Sequence, residues 1–345
     1  MIRKASFQPA WWLPGPHLQT LWPALCRRKP HPSTWRERVE LPDGDFLDLD
    51  WTVGKHGPIV AILHGLEGSS DSGYARGLLH TMATKGWRGV VVHFRGCSGE
   101  PNRRAASYNA GHTADIAYVM ALLHQREPKT PLACVGYSLG GNALLKWLGE
   151  TEIDVPVQAA VAVSVPFTLE LAARRLRRGF SRLYQAYLLR HLRASYRRKS
   201  SLQIKLPLTL KEMKNLRDFY AFDDKVTAPL HGYASAYDYY TRASCRPHLK
   251  NIRVPTLILH ATNDPFMFAD AVPSATELSE SVILELSPYG GHVGFVTGAL
   301  PWQPIYWLEQ RIPAFLAEQL TGTSSSLFSK ASQELLKEPI MELRV

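Results

Sequence analysis

The sequence predicts an α/β fold: a mostly parallel central sheet with helices on both faces and a helical cap inserted over its carboxyl edge. Three features of the 345-residue chain carry this expectation. Short runs of branched apolar residues alternate with helix-like stretches, the pattern of βαβ crossovers. One run, "LACVGY" (132–137), passes through a lone serine among glycines, "GYSLGG" (136–141), into the helix-like "NALLKWLGE" (142–150). The alternation breaks once, from 166 to 250, where helical patterns appear without a clear strand. Such an interruption reads as a cap over the edge where open α/β sheets bind ligands.

The elements follow in order. Residues 36–42 and 46–53 flank the turn signal "PDGD", which predicts an N-terminal hairpin. "PIVAILH" (58–64) is a buried strand, "ARGLLHTMATK" (75–85) a helix, and "GVVVHF" (89–94) a strand. "TADIAYVMALLHQR" (113–126) is a helix with Thr113 in the N-cap position, and "AAVAVSV" (159–165) a strand. After the helical stretch come "PTLILHA" (255–261), a helix near 270–278, "VILEL" (282–286) and an amphipathic stretch near 302–320. The expected organisation is residues 1–165 as the first part of the core, 166–250 as the cap and 251–320 as the second part of the core. Residues 321–345 form a tail opening on the low-complexity "TGTSSSLFSK".

Composition is that of a globular protein, 45% hydrophobic and 20% charged. The net charge of +10 is local. Residues 171–205 hold eleven Arg and Lys and no acid, so the remainder carries 10 − 11 = −1. A general nucleic-acid binder is not expected from such a distribution. Cys26, Cys97, Cys134 and Cys245 form no C-x-x-C pair and match no zinc spacing. No metal or other cofactor is expected, and the thiols suit a reducing compartment. The N-terminus carries no signal-peptide core and no apolar run reaches the length of a membrane span, so the expectation is a cytoplasmic protein.

The glycines around Ser138 have a physical purpose. A strand that turns sharply into a helix forces the turning residue into a disfavoured backbone conformation and presses its −2 and +2 neighbours together. The hydroxyl is lifted to a helix N-terminus, where backbone N–H groups favour negative charge. "GYSLG" therefore fits the G-x-S-x-G nucleophile elbow, against the bland alternative of a glycine-rich turn with an incidental serine. A serine hydroxyl needs a base, and the base an orienting acid. "LILHATNDPFM" puts Asp264 in the loop after a buried strand, with Asp270 as the nearest rival acid. "LELSPYGGHVGF" puts His292 after the next strand, behind paired glycines; the bland alternative is one surface histidine among thirteen. Ser, Asp and His in that order at three strand ends point to acyl transfer through a charge relay. The oxyanion donors would be the N–H groups of Leu139, after the nucleophile, and of Leu66, in "HGLEGSSDSG". His64 of that loop is expected to have a structural role.

With these stretches in view, and with "HFRGCSGEPNR" (93–103), "FDD" (222–224), "HGYASAYDYY" (231–240) and "PGPHLQTLWPALCRR", the chain resembles the bacterial YheT-type esterases. These are related to plant EMB8-like proteins and to eukaryotic α/β-hydrolase-domain lipases. The resemblance covers roughly residues 7–320 and implies an α/β-hydrolase fold, a relay of Ser138, Asp264 and His292, and hydrolysis of a small-molecule acyl ester. It supplies no particular substrate. Yeast proteins of similar appearance pass acyl groups to alcohols, and this chain has no H-x-x-x-x-D acyltransferase pattern. A non-catalytic relative that only binds is the third alternative, which the intact Ser, Asp and His disfavour.

Two further segments have more than one reading. In "RRLRRGFSRLYQAYLLRHLRASYRRK" (174–199), Phe180, Leu183, Tyr184, Tyr187 and Leu188 recur at helical spacing beside the arginines. The favoured reading is a cap helix with that face on the core and the arginines in water; a platform that recruits an anionic membrane or acyl-CoA is the alternative, ahead of nucleic-acid binding. Tyr233, Tyr237 and Tyr240 read as core, with the lining of an acyl pocket as the alternative. The glycine-rich loop 94–103 has no lysine at P-loop spacing and is not expected to bind phosphate.

Overall fold

The computed structural model describes residues 1–27, 32–54, 56–151 and 155–320; the tail expected at 321–345 lies outside the described residues. The first part of the chain runs β1 (Ile2–Lys4), α1 (Gly15–Leu25), β2 (Thr34–Glu40), β3 (Phe46–Thr52), β4 (Ile59–Leu63), α2 (Gly73–Thr84), β5 (Arg88–Val92), α3 (Ala114–Arg126), β6 (Leu132–Tyr137), α4 (Leu139–Glu150) and β7 (Ala159–Val163). An all-helical stretch follows: α5 (Leu169–Leu176), α6 (Ser181–Ser200), α7 (Leu210–Met213), α8 (Phe219–Phe222), α9 (Ala228–Leu230) and α10 (Ala236–Ala243). The sheet resumes with β8 (Thr256–Ala261) and β9 (Val282–Ser287), then the short pair β10 (Val296–Thr297) and β11 (Ile305–Tyr306), and ends on α11 (Leu308–Leu320).

Nine strands join in the order β1-β9-β8-β7-β6-β4-β5-β3-β2. The pairs from β1 to β5 along this order are parallel, and β3 and β2 add an antiparallel edge. In β4, β5, β6, β7 and β8 every residue is buried, because both faces are covered. In β4, Val60 and Ile62 pack with α2 and α11, and Ala61 and Leu63 with α3 and α4. The hairpin is held by cross-strand ion pairs at register: Arg36 donates twice to Asp50 and Arg38 twice to Asp48. The chain leaves β4 toward β5, then returns to place β6 on the other side of β4. The two connections diverge there and open a crevice at the carboxyl ends of β4 and β6.

Several expectations change. The helix near 270–278 is replaced by two single 3₁₀ turns, Ala269–Ala271 and Ala275–Glu277. Pro273 has no N–H to continue the first, and the Ser274–Glu277 capping box starts the second afresh. Thr113 stands in the N-cap position without capping α3; its hydroxyl donates to Glu150 instead. Of the three tyrosines read as core, Tyr240 is buried, Tyr233 is half-buried and Tyr237 is exposed. In α6, Tyr184 is buried and Leu188 half-buried, whereas Phe180, Leu183 and Tyr187 stand in water. Arg193 turns inward, where its Nη2 donates to the Leu216 carbonyl.

Buried polar groups tie the helical stretch to the sheet. Asn142 on α4 donates to the carbonyls of Ala110 (3.0 Å) and Ala243 (2.8 Å) and accepts from the Cys245 N–H (2.9 Å). In the 93–104 loop, Arg95 donates to Asp115 and Asp43, and Asn102 to Asp45. The α6 lysine Lys199 closes this network on Asn102 and the Arg104 carbonyl, and burial pulls its ammonium down to about 8. The loop's Arg95 and Asn102 side chains are thus held in a buried ion network. No helix among the described residues is long and apolar enough to cross a membrane, and none of their His, Cys, Asp and Glu side chains group to hold a metal.

Burial pushes two core histidines down, His64 to about 3 and His260 to about 4. The unfolded chain takes up these protons near the ordinary 6.5, the folded chain only near 3–4. Their stabilisation is therefore complete above about 6.5 and is lost as pH falls. Urea titrations should show the unfolding free energy dropping by about 1.4 kcal/mol per pH unit for each histidine between about pH 6 and 4. A flat profile there would contradict the burial of neutral rings.

Candidate active site

Ser138 lies between β6 and α4 with φ 51° and ψ −117°, a conformation that a side chain rarely adopts. Its N–H donates to the Val163 carbonyl (2.8 Å), and its carbonyl accepts from Asn142 (3.0 Å), so both neighbouring elements hold the turn. The glycines are required by contact. A Cβ on Gly136 would lie 2.5 Å from the Gly140 oxygen, and one on Gly140 would lie 2.5 Å from the carbonyl oxygens of both Leu63 and His64. The turn is wedged against the end of β4, and its hydroxyl faces the crevice at the switch between β4 and β6.

The loops after β8 and β9 bring the other two expected residues to the same point. Asp264 is 3% exposed. Its Oδ1 accepts from the Phe266 N–H (2.8 Å), and its Oδ2 accepts from Nδ1 of His292 (2.8 Å). With Nδ1 protonated, Nε2 of His292 is an acceptor, 2.9 Å from the Ser138 hydroxyl. The Phe266 ring stacks on the imidazole at 3.9 Å and 3° between planes, which fixes its tilt. Asp270, the rival acid, is exposed on its 3₁₀ turn, and no hydrogen bond joins it to His292.

Residues far away in sequence also hold the histidine loop. The His292 N–H donates to Thr20 Oγ1 (2.9 Å), Val293 N–H to Ser164 Oγ (3.0 Å) and Gly291 N–H to Asn263 Oδ1 (3.1 Å). Gln19, fully buried on α1, donates to the Val296 carbonyl (3.0 Å) and accepts from its N–H (2.8 Å). The N-terminal segment is thus a splint along the loop. Sequence reasoning singled out "PGPHLQTLWPALCRR" without assigning it this work; a polar Gln-Thr pair inside an apolar helix was the available signal.

On the opposite side, the loop after β4 carries donors. The Leu66 and Leu139 N–H groups have no acceptor among the described residues. His64 is locked as one tautomer: Nδ1–H donates to the Gly65 carbonyl (2.7 Å) and Nε2 accepts from the Phe94 N–H (3.1 Å). Glu67, next to Leu66, has φ 53°. Its N–H donates to the Tyr108 hydroxyl (2.7 Å), which donates back to the Glu67 carboxylate (3.0 Å), and Ser195 of α6 donates to the other carboxylate oxygen. The loop is therefore tied both to the sheet and to the helical stretch.

A cavity opens beside Ser138 and His292 and runs beneath α5, α6 and α8. Leu169, Leu176, Leu192 and Phe219 give it an apolar wall, while Asn102, Lys199 and His231 line polar parts. Chemically, the assembly offers a hydroxyl in contact with an imidazole nitrogen, a carboxylate to stabilise an imidazolium, two N–H donors without an acceptor among the described residues and room for an apolar chain.

A family model described as alpha/beta hydrolase fold matches residues 58–299. "Putative esterase YheT" of Escherichia coli (strain K12) is 45% identical over 325 residues, covering 93% of this chain and 95% of that protein. Phospholipase ABHD3 of Mus musculus is 30% identical over 312 residues, covering 87% of this chain and 76% of that protein. Among solved structures, the Pyrococcus furiosus esterase Pf2001 is similar with a TM-score of 0.55 at 14% identity, over 93% of this chain and 98% of that one. That last similarity is one of fold alone.

The splint makes a specific demand. Thr20→Val preserves volume and removes the acceptor for the His292 N–H. On a soluble ester it should lower kcat about tenfold, roughly one hydrogen bond's worth of positioning, and leave KM within about twofold. Unchanged kcat would mean that α1 does not hold the histidine loop.

Proposed function

Given that this chain belongs to the α/β-hydrolase family and, within it, to the YheT-type carboxylic ester hydrolases, we propose that it cleaves acyl esters through a covalent acyl-enzyme on Ser138. The observation that carries the reading is the unbroken hydrogen-bond chain from the Ser138 hydroxyl through His292 to Asp264. Ser138 Oγ attacks the acyl carbonyl while its proton passes to Nε2 of His292. The carbonyl electrons move onto oxygen, and this oxyanion is met by the Leu66 and Leu139 N–H groups. As the tetrahedral intermediate collapses, His292 returns the proton to the departing alcohol and the acyl group stays on Ser138. Water then attacks the acyl-enzyme by the same route: His292 takes its proton, the carboxylic acid leaves, and Ser138 is regenerated. Asp264 stabilises the imidazolium in both halves without itself taking the proton.

The substrate is a small-molecule ester, and the apolar wall favours short- to medium-chain acyl groups or lipid esters. The four cysteines are all free, which fits a reducing compartment such as the cytoplasm.

Ser138→Ala and His292→Ala should each lower kcat by about 10⁴-fold or more with the fold intact, because members of one relay act as a unit. Asp264→Asn should also lower kcat strongly, and Asp270→Asn should not. Near-normal turnover in folded Ser138→Ala, measured with a p-nitrophenyl ester, would refute the acyl-enzyme.

The cavity wall makes an independent prediction. Leu192→Trp fills its apolar part and should reduce kcat/KM for an octanoyl ester at least about tenfold relative to an acetyl ester. An equal effect on both esters would place the acyl chain elsewhere.

A further inference from the structure

The outer face of α6 has no partner among the described residues. The helix turns Leu188, Leu192, Tyr196 and Lys199 inward, and these line the cavity. Outward it presents Leu183, Tyr187, Arg190 and Arg197, spaced along one stripe of a straight helix. The first half of that stripe is apolar and the second half basic. Leu183 and Tyr187 are 60% and 62% exposed. Phe180, at the start of the helix, is also exposed, and its ring lies 4.3 Å from His17 of α1. Leu18, the next residue of α1, is exposed in turn. Exposed apolar side chains on two helices therefore stand in water, where burying them would be favourable.

The charge on this face is one-sided. Arg174 and Arg177 have carboxylate partners, Glu170 and Asp218. Arg182, Arg190 and Arg197 are exposed, with no carboxylate at ion-pair distance among the described residues. Residues 171–205 contain eleven basic residues and no acid, and the rest of the chain is close to neutral. The attraction is thus focused on one side of the molecule.

We propose that this face docks on an anionic lipid bilayer, with Phe180, Leu183 and Tyr187 entering the headgroup boundary and the arginines meeting lipid phosphates. A bilayer surface satisfies both halves of the stripe at once: apolar depth for the first, negative charge for the second. A nucleic-acid backbone would answer the arginines and leave Leu183 and Tyr187 without a partner. Docking in this way holds the cavity-lining face of α6 about one helix diameter, roughly 10 Å, from the lipid. The proposal does not depend on the ester chemistry, so the two can fail separately.

The test is sedimentation of the full chain with vesicles of phosphatidylcholine alone and of phosphatidylcholine mixed with phosphatidylglycerol. The wild-type protein should bind the mixed vesicles and not the neutral ones, and added salt should weaken binding, since exposed charges are screened over about 8 Å at physiological ionic strength. The triple variant Arg182→Gln, Arg190→Gln, Arg197→Gln should lose about 100-fold in affinity. The double variant Leu183→Ser, Tyr187→Ser should lose at least about tenfold. None of these five residues lines the cavity, so hydrolysis of a soluble short-chain ester should be unchanged and serves as the check on folding. Failure of the wild-type protein to bind anionic vesicles would overturn the proposal. So would binding that neither variant weakens, or binding to duplex DNA in place of vesicles.

Discussion

The backbone of Ser138 is the constraint on which the rest of the site depends. Its φ of 51° is unfavourable alone and persists because β7, α4 and the end of β4 all press on it. The contacts at Gly136 and Gly140 leave no space for a side chain, so the hydroxyl has one direction in which to point. That direction is the crevice where the connections from β4 diverge, and the loops after β8 and β9 are brought there by the parallel sheet. The strain and the sheet order are two aspects of one requirement, that a polar atom stand clear of an otherwise apolar edge.

Around this fixed point, the surrounding loops are held both from the sheet and from the helices. His292 sits on a loop with positive φ at Gly290, Gly291, Val293 and Phe295, a path that would not keep its shape unaided. Asn263 and Ser164 hold it from the sheet, and Thr20 and Gln19 from α1. The donor loop opposite is held through Glu67 by Tyr108 and by Ser195 of α6. One helix thus has three roles: its inner face lines the cavity, Ser195 reaches the donor loop, and its outer stripe faces solvent with arginines that have no carboxylate partner among the described residues.

Much of this was legible in the sequence, for reasons that can be stated. Buried parallel strands must be apolar on both faces, so "PIVAILH", "LACVGY" and "PTLILHA" stood out, and Ser138, Asp264 and His292 each follow such a strand at short range. The G-x-S-x-G spacing is legible because it reflects a steric contact between near neighbours. Thr20 was not legible, since its partner lies 272 residues away and no local pattern encodes that meeting. The outward apolar stripe of α6 was hidden for another reason: the helix is apolar on its inner face and on half of its outer face, and periodicity alone assigned Phe180, Leu183 and Tyr187 to the core. The helix expected near 270–278 failed on Pro273, whose missing N–H outweighs the apolar spacing around it.

The central claim is that Ser138 is the atom on which the acyl group rests. Labelling the native protein with a fluorophosphonate, followed by digestion and mass spectrometry, addresses it directly. The account predicts one adduct per chain, on the peptide that contains Ser138, with ester hydrolysis lost in step with labelling. An adduct on a different residue, or an unlabelled protein that still hydrolyses esters, would contradict it.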